Sequence, residues 1–78
     1  MVTLYIGGLA PETDKDRLAD MFGGFGRITE TRVMTTDDGR CRGFAYVTFE
    51  SDLAAAKART ALNGREVEGQ QLRVAIAT

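Results

Sequence analysis

The chain reads as an α+β protein in the order β-α-β-β-α-β, with a four-stranded antiparallel sheet and two helices on one of its faces. Three observations predict this. Gly and Asp/Asn clusters cut the 78 residues into six periodic pieces. Four of the pieces are short, apolar and rich in β-branched or aromatic residues, as strands are. The other two begin at cap residues and carry apolar positions four apart, as helices do. Their order is that of a split βαβ unit.

Val2 to Gly7 is the first strand, ended by Gly7-Gly8. Pro11-Glu12-Thr13 opens a helix, with Thr13 as the expected N-cap and Asp16 three residues on. Leu18 and Phe22 share one face with Met21 beside them, and Gly23-Gly24 stops the helix so that Phe25 folds back onto the core. Ile28 to Thr36 and Gly43 to Glu50 are the second and third strands, joined in a hairpin through Asp37-Asp38-Gly39. Ser51 caps a second helix, with Asp52 in its first turn. Leu53 to Leu62 holds five alanines, and Asn63-Gly64 ends the helix in a left-handed cap. Gln71 to Ala77 is the last strand.

Composition narrows the chemistry. There is no His, the commonest general acid–base and zinc ligand, and a single Cys, Cys41, which allows no intramolecular disulfide. A lone thiol suits a reducing, intracellular compartment, nucleus or cytoplasm. No apolar run reaches the ~18–20 residues of a membrane span, and Met1 to Ala10 does not read as a signal peptide. No nucleophile–base pair stands out, so no catalytic residue, metal or cofactor is expected. Gly23-Gly24-Phe25-Gly26 lacks the Lys-Ser/Thr ending of a phosphate loop and reads as a helix stop. The net charge of −1 gives no general attraction to polyanions, so any nucleic-acid site needs its cations gathered on one face.

Strand alternation sorts the residues by face. Leu4 and Ile6, then Ala45, Val47 and Phe49, then Leu72, Val74 and Ile76 form the inward set, with Val33 from the second strand. Thr3, Tyr5, Phe44, Tyr46, Arg73 and Ala75 then point to the uncovered side, with Arg32 and Met34. If the first and third strands are neighbours, Tyr5, Phe44 and Tyr46 cluster there, framed by Arg32, Arg42 and Arg73. Rings framed by guanidinium groups suit single-stranded nucleic acid, whose bases stack and whose phosphates pair with cations. Glu12, Asp14, Asp16 and Asp20 mark the opposite, helical side as acidic.

Leu4-Tyr5-Ile6-Gly7-Gly8-Leu9 resembles the RNP hexamer of the RNA-recognition motif family. Arg42-Gly43-Phe44-Ala45-Tyr46-Val47-Thr48-Phe49 resembles its RNP octamer, K/R-G-F/Y-G/A-F-V-x-F/Y, with Tyr46 in place of Phe. Phe22, Phe25-Gly26, Ile28 and Leu62-Asn63-Gly64 also look like landmarks of that family, and the likeness spans residues 1–78 as one domain. It implies a ferredoxin-like sandwich that binds single-stranded RNA, or single-stranded DNA, as a monomer in RNA processing or regulation. Two to four nucleotides would lie on the sheet. Tyr5 and Tyr46 would each stack a base, Phe44 would pack against the sugars, and Arg42 would meet a phosphate. Arg32, Met34 and Arg73 would tune base preference, with Arg40 in the hairpin loop as a further contact. Gly8 departs from the family's frequent Asn. Neutral residues at Thr3, Ala75 and Ala77, and a chain ending at Thr78, point to modest affinity. The alternative reading is a protein-interaction module of the same fold, docking a partner through the acidic helical face or the sheet.

Overall fold

The computed structural model describes residues 1–67 and 69–77. The elements are β1 (Val2–Gly7), α1 (Lys15–Phe22), a 3-10 turn (Gly23–Phe25), β2 (Ile28–Thr35), β3 (Cys41–Phe49), α2 (Asp52–Leu62), β4 (Glu66–Val67), β5 (Gln70–Gln71) and β6 (Arg73–Ile76). The main sheet runs β2-β3-β1-β6, every pair antiparallel. This is the ferredoxin-like β-α-β-β-α-β arrangement, with β1 and β3 at the centre.

Alternation in these two strands builds the core. Leu4, Ile6, Ala45, Val47 and Phe49 are fully buried and meet Leu18 and Phe22 from α1. The Phe22 and Phe49 rings lie 6.4 Å apart at 57°. Each such large side chain contributes roughly 1.5–3 kcal/mol by leaving water. From α2 come Ala54, Ala55, Ala58 and Leu62, mostly small side chains that let the helix sit close. The approach is tightest at Gly26, where a Cβ would stand 2.5 Å from that of Ala54.

The caps refine the expected boundaries. Asp14, not Thr13, is the N-cap of α1: its carboxylate accepts from the Arg17 N–H at 2.9 Å. Thr13 is spent one step earlier, closing the turn on Ala10 O at 3.0 Å with its side chain buried. Ser51 caps α2 as expected, accepting from the Ala54 N–H at 3.3 Å. At the other end Asn63 is extended (φ −65°, ψ 123°) and only Gly64 is left-handed (φ 86°). With Arg65 N–H bonded to Leu62 O at 3.1 Å, this is a type II turn rather than a left-handed cap over both residues. It frees the Asn63 side chain to accept from the Val74 N–H at 3.0 Å, tying the helix end to β6.

The last piece also differs. Gln71 belongs to a small hairpin, β4–β5, and the final sheet strand starts at Arg73. Leu72, buried between them, is held by Leu72 N–H to Arg65 O and Gly64 N–H to Leu72 O, both 2.8 Å. Ile76 lies opposite Leu4, so it has the expected parity, yet it is 53% exposed at the open end of the edge strand.

The β4–β5 hairpin closes on Gly8. That residue has φ 77°, and a Cβ there would stand 2.2 Å from the Gln71 carbonyl oxygen. Gly39, in the β2–β3 turn, has a similar φ of 85° and open space around it. Gly39→Ala is therefore expected to cost only backbone strain, about 1–2 kcal/mol. Gly8→Ala adds a backbone clash and is expected to cost about 1–3 kcal/mol more. Urea denaturation of the two variants measures the difference; equal losses would contradict the close approach of hairpin and β1.

Candidate nucleic-acid interface

Among the described residues no element covers the sheet face away from the helices, and the register lays its side chains out in rows. One row is Arg32–Tyr46–Tyr5–Ala75. The next, one strand-pleat along, is Phe44–Gly7–Arg73. On the other side lies Glu30–Thr48–Thr3, with Ala77 N–H bonded to Thr3 O at 2.8 Å.

Tyr5, Phe44 and Tyr46 are brought together as one half-buried cluster. Tyr5 and Phe44 are stacked at 6.0 Å and 30°, Tyr5 and Tyr46 meet edge-on at 5.8 Å and 64°, and Phe44 and Tyr46 at 6.3 Å and 89°. Gly7 makes the tilt of Tyr5 possible. It is itself buried, and a Cβ on it would stand 2.8 Å from the Tyr5 hydroxyl, so that ring lies over the glycine. Rings packed against one another lose little further freedom when a planar ligand settles on them.

Arginines flank the rings unequally. Arg73 is exposed across Gly7 from Phe44. Arg32 is exposed directly opposite Tyr46 and is paired with Glu30, Nη2 to Oε2 at 3.4 Å. Arg42 is exposed two residues before Phe44, where the β2–β3 register shifts between Val33↔Ala45 and Thr35↔Cys41. Half-buried Met34 lies opposite that segment. Gly43 carries the irregularity at φ 102°, a backbone state that side chains rarely adopt; its carbonyl takes the Leu9 N–H at 2.9 Å. Arg40 is not among the rows. It lies beyond the ladder in the turn, 3.9 Å from Asp38, beside Pro11 and Glu12. There the Thr36 hydroxyl donates to the Asp38 carboxylate and holds it below the usual carboxylate range.

Cys41 is buried, its sulfur 3.4 Å from the Gly43 N–H, which makes it part of the wall under the octamer. Among the described residues no three His, Cys, Asp or Glu side chains gather as metal ligands, and no helix is long and apolar enough to cross a membrane. Sequence reasoning gave no binding role to Glu30, counted only as diluting the basic side, or to the Thr3–Thr48 hydroxyl pair, 2.9 Å apart, which border a cleft of about 290 Å³ beside Tyr46. The parity shared by Glu30 and Arg32 was the available signal.

Known proteins place this geometry. Over 75 residues the chain is 47% identical to the small ribosomal subunit protein uS19m of Arabidopsis thaliana, covering 95% of this chain and 35% of that protein. Over 72 residues it is 43% identical to glycine-rich RNA-binding protein 3, mitochondrial, of the same plant, covering 91% and 23%. The chain thus spans well under half the length of either relative. A solved Sxl-lethal protein/RNA complex matches it with a TM-score of 0.91 at 33% identity, over 96% of this chain and 47% of that one. The RNA recognition motif model matches residues 4–73, and the chain, with its two RNP segments on adjacent central strands, belongs to that family.

Proposed function

We propose that this domain binds single-stranded RNA on the open face of its sheet, as a monomeric module with no chemistry of its own. The observation that carries this is the cluster of Tyr5, Phe44 and Tyr46, three rings in mutual contact on a face that no helix covers. An aromatic patch on a solvated sheet is costly to leave without a partner. Tyr5 and Tyr46 each stack one base, Phe44 supports the sugars between them, and Arg42 and Arg73 meet phosphates. Two to four nucleotides fit this layout, with Met34 and Arg32 at the rim to bias base choice and Arg40 in reach of a longer strand. Single-stranded DNA shares the stacking terms and lacks only the 2′-hydroxyl contacts. Membership of the family and the RNA-bound Sxl-lethal relative support the reading. Through that binding the domain serves RNA processing or regulation.

Docking of a protein on the helical side is the second reading. One feature favours it: a groove of about 300 Å³ between α1 and the β4–β5 hairpin, floored by Leu9, Ala10, Met21 and Leu72, with Asp20 at its rim.

Tyr5→Ala/Tyr46→Ala is expected to weaken binding of a random single-stranded RNA pool by about 2–6 kcal/mol while leaving the fold intact. Fluorescence anisotropy measures it, with a thermal melt as control. Unchanged affinity would move the RNA site off the sheet. Few phosphate contacts are available, so log K against log salt is expected to fall with a slope of magnitude about 2 or less, and Arg42→Ala to reduce it by about 0.7–1. A steep slope that Arg42→Ala leaves unchanged would place the ionic contacts elsewhere.

A further inference from the structure

The open face carries a carboxylate, and its position is built rather than incidental. Ile28 lies opposite Phe49 and Glu30 opposite Thr48, so Thr29 is an extra residue in β2. Its hydroxyl donates to the Thr48 carbonyl at 3.3 Å. Without this bulge, continuing the ladder from Ile28 would set Glu30 against Val47 and Arg32 against Ala45, both on the core side. With it, Glu30 and Arg32 stand side by side on the open face, in a cleft shared with Tyr46, Thr48 and Thr3.

A carboxylate there repels phosphate, so it is useful only toward a donor. In RNA the donors are the 2′-hydroxyls and the base edges. Guanine alone offers two adjacent donors on its Watson–Crick edge, N1–H and the 2-amino group, spaced to meet both oxygens of a carboxylate. Its O6, on the same edge, is an acceptor for a guanidinium. Adenine and cytosine set an acceptor beside their single amine, and uracil sets one donor between two acceptors.

We propose that Glu30 and Arg32 read the Watson–Crick edge of a guanine seated beside Tyr46. The inference rests on the RNA-binding reading above. The existing Arg32–Glu30 contact is a single one at 3.4 Å between side chains 65% and 59% exposed. Such exposed pairs are weak, and little is lost when they turn toward a base. The Arg32 contact uses Glu30 Oε2, so Oε1 is available to the second donor. The Thr3 and Thr48 hydroxyls form the polar floor of the same cleft.

Inosine lacks only guanine's 2-amino group and therefore probes this contact. Short random RNA pools containing either guanosine or inosine are compared by fluorescence anisotropy on wild type and Glu30→Gln. The wild type is expected to bind the guanosine pool about fivefold or more tighter. Glu30→Gln is expected to lose that difference while keeping the wild-type melting behaviour. Wild-type indifference to inosine would overturn the proposal. So would a Glu30→Gln protein that tightens equally on both pools, the signature of a carboxylate that merely repels phosphate. Failure of the wild type to bind either pool would instead take down the RNA-binding reading itself, and the guanine contact with it.

Discussion

The register between β1 and β3 is the constraint on which the rest of the molecule depends. Tyr5 faces Tyr46 and Leu4 faces Val47. A slip of one residue would exchange the faces of a strand, sending Leu4 and Ile6 into water and Tyr5 under the helices. The register is therefore held by the burial of Leu4, Ile6, Ala45, Val47 and Phe49, none of which is exposed to solvent. The same pairing that closes the core assembles the aromatic cluster on the opposite side. Stability and the binding surface come from one alternation, and neither could be altered by a shift without losing the other.

Glycines release the places where that alternation meets a tight demand. Gly7 makes room for the Tyr5 ring, and Gly26 lets α2 approach to contact through Ala54. Gly43 absorbs the irregularity of β3 between Arg42 and Phe44 and bonds to Leu9 through its carbonyl. Gly8 accepts the β4–β5 hairpin so closely that the Gln71 oxygen occupies the space of a side chain. The hexamer and octamer are thus backbone motifs as much as aromatic ones.

The order of the elements and the sorting of the central strands were legible because period-two patterning in β1 and β3 is uninterrupted. The Thr29 bulge was not: Ile28 and Val33 both pack on the core although their spacing is odd, a sign that is ambiguous until the pairing partner is known. Thr13 and Asp14 are equally good caps by composition, and only the turn that consumes the Thr13 backbone decides between them. The β4–β5 hairpin is two residues on each side and has too few positions to show a period. Ile76 has the right parity and is still 53% exposed, at the end of an edge strand where period-two patterning says nothing about how far the cover extends. In the site, the rings were visible as a parity class and Glu30 shares the parity of Arg32, whereas the Thr29 bulge that turns both to the open face required the fold.

Charge follows this division of faces only in part, since Lys15 and Arg17 also stand on α1 and Glu30 on the open face. Asp14, Asp16 and Asp20 stand on or at the cap of α1, exposed; Arg32, Arg42 and Arg73 stand exposed on the strands. A near-neutral chain can in this way present a cationic, ring-bearing surface to a polyanion. The central claim is that the ligand stacks on that surface. Aromatic side-chain NMR during titration with single-stranded RNA tests it most directly, since the core supplies an internal control in rings of the same kind. Ring-current shifts at Tyr5, Phe44 and Tyr46, with Phe22 and Phe49 unmoved, are the expected result. Shifts confined to α1 and the β4–β5 hairpin, with the three sheet rings unchanged, would contradict it.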